Sequence, residues 1–263
     1  MSIFYRTAEE IEKLREANKI VVAAHARLAE LVAPGVTTES LDREAEIVIR
    51  DLGGQPSFKG YRGFPATLCV AINDHVVHGI PSGKKLNEGD IVGLDLGAEY
   101  LGYYGDAART LPVGEISPRA ERLLKVARES LMAGIEKLAP GRRLGDVSSA
   151  IQTRAENAGY SVVRAFVGHG IGASPHEDPQ VPNFGSPGTG IKLKPGLVLA
   201  IEPMVNAGVP SVRILDDGWT VITEDRKPSS HFEHTVLVTS GEPEILTARP
   251  REALPEMLGL PPF

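Results

Sequence analysis

Two acidic residues, Asp95 and Asp106, sit where this chain should be least acidic. The runs Ile91-Val92-Gly93-Leu94-Asp95-Leu96-Gly97 and Tyr103-Tyr104-Gly105-Asp106-Ala107-Ala108-Arg109-Thr110 are short and rich in β-branched or aromatic residues. The glycines and Glu99 between them suit a hairpin. Each run places one carboxylate where a strand would otherwise bury an apolar side chain. An isolated ionised carboxylate in a core costs several kcal/mol or reverts to its neutral form, so a buried acid needs a cation. On neighbouring antiparallel strands the two acids can point to one face and share a metal. The alternative is that one acid caps a turn and the other pairs with Arg109, because ion-pair networks also bury acids.

The second half of the chain adds candidates. Phe166-Val167-Gly168-His169-Gly170-Ile171-Gly172 sets a histidine between glycines, after an apolar run over 161–167. Small neighbours let a ligand or substrate approach the backbone. His176-Glu177-Asp178-Pro179 offers another histidine on a loop, and Glu202 closes an apolar strand before Pro203. In Phe232-Glu233-His234-Thr235-Val236-Leu237-Val238 an acid opens a strongly β-forming run. The set Asp95, Asp106, His169, Glu202 and Glu233 is four carboxylates and one imidazole. Mostly-oxygen ligation with one nitrogen suits Mn, Fe(II), Co or Zn. Five side chains are too many for one catalytic ion with an open position and suit two divalent ions sharing bridging carboxylates. The competing reading, several unrelated ion pairs, needs four partly independent compensations while the spare Lys and Arg lie outside these strands.

The elements that must position these groups are written in local signals. Thr7-Ala8-Glu9-Glu10 is a capping box, and Ile11, Leu14, Val21, Leu28 and Leu31 follow at helical spacing until Pro34-Gly35. His25 lies in this helix as a packing or surface histidine. A second helix is expected over 38–52, ended by Gly53-Gly54, then short strands over 68–72 and 76–80. Ser117-Pro118 starts a third helix, with Leu124, Leu131, Ile135 and Leu138 on its apolar side. A fourth spans about 144–158, and the rest reads mostly as strands.

Two features repeat. Ala33-Pro34-Gly35 and Ala139-Pro140-Gly141 each separate a long helix from a shorter one. Glu88-Gly89-Asp90-Ile91-Val92-Gly93-Leu94-Asp95 and Lys194-Pro195-Gly196-Leu197-Val198-Leu199-Ala200-Ile201-Glu202 both run from a turn glycine through an apolar strand to an acid. This predicts two related α+β halves, roughly 1–115 and 116–250, inside one catalytic domain covering 1–263, with sheets meeting at a shared site. The tail from Arg249 is Pro-rich and is expected over the surface.

Composition sets the outer limits. The 263 residues are ample for a substantial core. A net charge of −6 and no Lys/Arg-rich run argue against nucleic-acid binding and fit a substrate bearing a positive amine. Cys69 is the single cysteine, so no intrachain disulfide forms and a reducing compartment is expected. No apolar targeting segment opens the chain and no run is long enough to cross a bilayer, so a cytoplasmic protein is expected, and the chain's compactness favours a monomer.

Taken together, His78-Gly79-Ile80-Pro81, Asp95 with Tyr104-Gly105-Asp106, Gly168-His169-Gly170-Ile171-Gly172, His176-Glu177-Asp178-Pro179, Ile201-Glu202-Pro203 and Phe232-Glu233-His234-Thr235 resemble the methionine aminopeptidases of type I. The likeness is collinear over nearly the whole chain. It implies the pita-bread fold, an α+β architecture of two pseudo-symmetric halves with antiparallel sheets around a dinuclear metal site. It also implies removal of the initiator methionine from nascent chains when the second residue is small, and a transient contact with the ribosome.

By that resemblance Asp95 holds one metal, His169 and Glu202 hold the other, and Asp106 and Glu233 bridge them. The metals bring a bound water toward a pKa of ~7, and the resulting hydroxide attacks the scissile carbonyl. Glu202 acts as general base. His78 and His176 match the two non-ligand histidines that contact the substrate amide and the tetrahedral intermediate. Phe58, Tyr61, Phe64, Cys69, Phe166 and Trp219 match the lining of the methionine pocket, where a thioether meets aromatic rings.

Two residues depart from the family pattern. Arg62 stands where many relatives carry histidine, and Pro175 precedes His176 where many carry phenylalanine. Three alternatives remain within reach of the same motifs. Xaa-Pro aminopeptidases and prolidases share the metal set but usually add a large N-terminal domain. Type II enzymes carry a long insertion between the last two acids, which the Glu202–Glu233 spacing lacks. A binding protein that kept this fold and lost its metals would not need all five ligands intact.

Overall fold

The hairpin that carries the two acids is longer than its sequence suggests. In the computed structural model, which describes residues 2–248, its strands are Ile91–Tyr100 and Tyr103–Pro112. The turn is only Leu101-Gly102, with φ of 54° and 78°. Two successive positive φ values match the right-handed twist of the flanking strands. Glu99, expected between the runs, lies inside the first strand, and its Oε1 accepts the Gly102 N–H at 2.7 Å. Gly97 pairs with Asp106 and Asp95 with Ala108, so both acids project from one face as diagonal neighbours. Leu68–Ile72 pairs along the other edge of the first strand and sets Cys69 opposite Asp95, on that same face.

The other face of this sheet is apolar because side chains alternate along a strand. Val92, Leu94 and Leu96 pack there against α1 (Ala8–Leu31) and α2 (Thr38–Asp51), through Val21, Ala24, Leu28, Leu41 and Ala45. The Thr7 capping box forms as expected: Thr7 N–H donates to Glu10 Oε2 at 2.8 Å and Glu10 N–H to Thr7 Oγ1 at 3.3 Å. His25 is a packing histidine, with Nε2 2.8 Å from the Ala107 carbonyl beside Asp106.

A second layer pair follows. Helices α3 (Pro118–Ile135, N-capped by Ser117) and α4 (Leu144–Asn157) pack on a five-stranded sheet. Its strand order is Glu244–Ile245, His234–Leu237, Val198–Ile201, Gly168–Gly170 and Glu177–Val181. Leu199, Ile201 and Val236 point to the helices. His169 and Thr235 both lie opposite Ala200, so their side chains leave by the other face, and alternation sends Glu202 and Glu233 the same way. Gly89 and Gly196, the repeated turn glycines, take nearly equal left-handed φ of 87° and 89°.

Some expected strands are shorter. The strand over 76–80 is His75–Val77, because His78 adopts φ 60° and turns the chain. The apolar run over 161–167 yields only Ser161–Val162; the chain then leaves that sheet before joining the next at Gly168. No helix among the described residues is long and apolar enough to cross a membrane. The proline-rich tail from Arg249 lies outside the described residues.

Candidate metal centre

The two sheets are stitched together at the site. Thr235 Oγ1 bonds both main-chain groups of Asp106, and the Glu233 N–H donates to the Ala108 carbonyl at 2.9 Å. Thr110 Oγ1 donates to the His231 carbonyl and accepts its N–H, both at 2.9 Å. Main chain thereby places Asp106 against Glu233. The resulting cavity, about 150 Å³, is lined by Asp95, Asp106, His169, His176, Glu202 and Glu233 together with His78, Phe58, Tyr61, Arg62, Phe64, Cys69 and Trp219.

Asp106, His169 and Glu233 offer ligand atoms that all lie within 4.8 Å of one another. His169 Nε2 is 3.4 Å from Glu202 Oε1. Its Nδ1 donates to the Gly170 carbonyl at 2.9 Å, which assigns the proton to Nδ1 and leaves the Nε2 lone pair facing the acids, available to a cation between them. The glycines around His169 serve neighbouring backbone rather than a ligand. A Cβ on Gly168 would overlap the Ala200 carbonyl oxygen, and one on Gly170 the Asp178 carbonyl oxygen.

The acids are held at a cost. Asp95 Oδ1, Asp106 Oδ1 and Glu233 Oε1 are buried without a hydrogen-bond partner. Burial lifts the Asp106 carboxyl to about 7. Burial, reinforced by the neighbouring acids, pushes Asp95, Glu202 and Glu233 well above the usual carboxylate range. Burial also drives the His169 imidazole down to about 3, with a smaller push from His176. Orphaned acid oxygens converging on a neutral imidazole lack one thing, a cation, and a divalent metal fits the donor set.

The opposite wall is aromatic. Tyr61 stacks on His176, with ring centroids 5.2 Å apart, and His176 lies 4.2 Å from the His169 ring. Phe64 and Trp219 meet edge to face at 5.1 Å. Burial lowers His78 to about 4. Desolvation and the Arg62 charge lower His176, which sits at the exposed rim. Burial first, then the acids, raise the Cys69 thiol well above its ordinary value. Phe166 is not among the lining residues: it packs edge-on behind His78 at 5.4 Å, within a cluster containing Val77 and Met204.

Sequence reasoning passed over three groups here. His231 is buried, its Nε2 lacks a hydrogen-bond partner and lies 3.8 Å from Glu202 Oε2. Its position two residues before Glu233 on extended chain was the available signal. Asn183 Nδ2 donates to the Glu202 carbonyl at 3.3 Å, and Thr235 anchors Asp106. Neither contact has a local sequence signature.

Comparison with known proteins gives concordant matches. Residues 12–240 match metallopeptidase family M24. A methionine aminopeptidase 1 of Bacillus subtilis is 50% identical over 245 residues, covering 93% of this chain and 99% of that protein. The crystal structure of methionine aminopeptidase from Thermotoga maritima superposes with a TM-score of 0.92 at 46% identity, covering 94% of this chain and 99% of that one. A prolidase from Pyrococcus furiosus shares the fold at a TM-score of 0.77 and 25% identity, covering 94% of this chain but 66% of the prolidase.

Proposed function

We infer the activity from one premise: the chain belongs to metallopeptidase family M24 and, within it, to the methionine aminopeptidases. It is a metal-dependent aminopeptidase that hydrolyses the bond after an N-terminal methionine when the second residue is small. The observation that carries this reading is a single cavity joining orphaned acid oxygens and His169 to an aromatic recess. The acids would receive the metal and the substrate's positive α-amine; the recess would receive the thioether.

Asp95 would hold one divalent ion, His169 and Glu202 a second, with Asp106 and Glu233 between them. Four acids ionised together call for about the charge of two such ions, and the donor types suit Mn, Fe, Co or Zn. When bound, the ions acidify a water toward a pKa of ~7 and polarise the scissile carbonyl. Glu202 accepts a proton from the attacking water and returns it to the departing amine. His78 and His176, both held neutral near pH 7, would hydrogen-bond the substrate amide and the tetrahedral intermediate. Phe58, Tyr61, Phe64, Cys69 and Trp219 enclose the methionine side chain, while Phe166 braces His78.

The same reading extends to setting. Two pseudo-symmetric halves meeting near residue 115 would form one catalytic domain, a cytoplasmic monomer that meets nascent chains through transient ribosome contact. The deciding experiment compares hydrolysis of Met-Ala-Ser and Ala-Pro-Ala by chelated enzyme before and after adding Mn or Co. Metal-restored release of methionine alone is expected. Cleavage before proline would move the protein to the prolidases, and no cleavage with metal bound would remove the activity altogether.

A further inference from the structure

The loop that carries His176 is clasped by the first residues of the chain. Ile3 forms a parallel bridge with Asp178, and the Arg6 N–H donates to the Gly196 carbonyl at 2.8 Å. The Arg6 guanidinium then turns inward and donates through Nη2 to Glu177 Oε2. Both side chains are almost fully buried, 6% and 8% exposed. Glu177 uses its other oxygen, Oε1, to accept the Ser174 N–H at 3.1 Å, closing the loop on itself. On the far side the Tyr104 N–H, two residues from Asp106, donates to the Gly172 carbonyl at 2.9 Å. Gly172 is required by this arrangement, since a Cβ there would overlap the guanidinium.

We propose that Arg6 is a positioning residue for the reaction: through Glu177 it sets the loop that presents His176 to the substrate. A buried ion pair is seldom the most stable filling for a site, because desolvating both charges offsets their attraction. What a guanidinium adds is direction: its planar fork meets Glu177 through Nη2 while Nη1 faces Glu10 Oε1 at 3.7 Å, tying the loop to the first turn of α1. Glu177 adjoins His176, whose ring stacks on Tyr61 and lies 4.2 Å from the His169 ring. Glu177 and Gly172 therefore pin the segment 172–177 at both ends. The metal-ligating acids sit on other strands, and His169, on the strand paired with that of Glu177, is fixed separately by its own Nδ1 bond to the Gly170 carbonyl. The clasp is therefore expected to act on His176 more than on metal binding.

This inference rests on the reading of His176 as a substrate-facing group, and the test separates the two. Metal-loaded Arg6→Ala, Arg6→Lys, His176→Ala and the double variant are assayed with Met-Ala-Ser, alongside metal titration. A displacement of about 1 Å costs on the order of a hundredfold, so Arg6→Ala is expected to lower kcat about ten- to a hundredfold with KM within about twofold. Metal affinity should stay within about twofold, millimolar guanidinium should restore part of kcat, and in the His176→Ala background the Arg6 change should cost less than about twofold. Should Arg6→Ala fold poorly, Arg6→Lys with the same background comparison serves instead. Equal losses in both backgrounds, a parallel fall in metal affinity or an unchanged kcat would overturn the proposal. Full activity in His176→Ala would overturn it together with the assigned role of His176; a loss in His176→Ala but none at Arg6 would overturn the clasp alone.

Discussion

Thr235 holds Asp106 by both main-chain groups: its hydroxyl donates to the Asp106 carbonyl at 2.8 Å and accepts the Asp106 N–H at 3.2 Å. One side chain thereby joins the strand of Glu233 to the hairpin. Thr235→Val keeps the shape but strands two buried backbone groups, each worth about 1–3 kcal/mol when left unpaired. Denaturant unfolding should show a loss of roughly 2–4 kcal/mol, on the same principle. Metal titration should show weaker binding, because Asp106 and Glu233 lose their common anchor. Unchanged metal affinity would mean that the sheets are held in register elsewhere.

The metal-free protein should lose stability as pH rises above about 6.5. Asp106 has a folded pKa of about 7 against an ordinary 3.8, and Asp95, Glu202 and Glu233 are raised as well. A carboxyl raised on folding keeps its proton in the fold while the unfolded chain has released it. These acids then keep more protons in the fold and lower its stability as pH climbs from about 4 toward 7. The buried histidines, lowered from 6.5 to about 3–4, act oppositely up to about pH 6.5, so the net fall is expected above that pH. A divalent ion removes that penalty by compensating the ionised acids. Melting temperatures with and without chelator should therefore diverge as pH rises from about 5 to about 8; a constant gap would contradict the raised acids.

Glu202→Gln should abolish turnover and leave the fold intact. The amide cannot accept a proton from water, a loss of about 10²–10⁴-fold in kcat. Removing one charge from a crowded acidic cluster should not lower the melting temperature of the metal-free protein. Full activity in this variant would take Glu202 out of the mechanism.

Arg62, the departure at the cavity rim, lowers the His176 pKa by its charge, after desolvation. Arg62→Gln should therefore raise that pKa, and the acid limb of the kcat/KM profile should move upward with it. Added salt should act in the same direction on the unsubstituted protein, because Arg62 is exposed and its field is screened. An NMR titration of His176 that ignores both changes would refute the coupling.

Local chemistry alone determined much of this molecule. The Thr7 capping box, the Ser117 cap and the alternation of Leu94, Asp95 and Leu96 depend on residues a few positions apart, and each forms where its pattern lies. A carboxylate in a strand that should be apolar marked Asp95 and Asp106, since the cost of burying charge is independent of fold. The roles expected of His78, His176 and the aromatic pocket rest on family resemblance, not on spacing. Tertiary structure decided what no local pattern carries. It moved Phe166 behind His78, set His231 beside Glu202, and turned the glycines around His169 toward neighbouring strands. It also joined Arg6 to Glu177 across 171 positions of chain. Such contacts depend on how sheets meet, and a side chain's sequence neighbours hold no record of what packs against it from the other end of the chain.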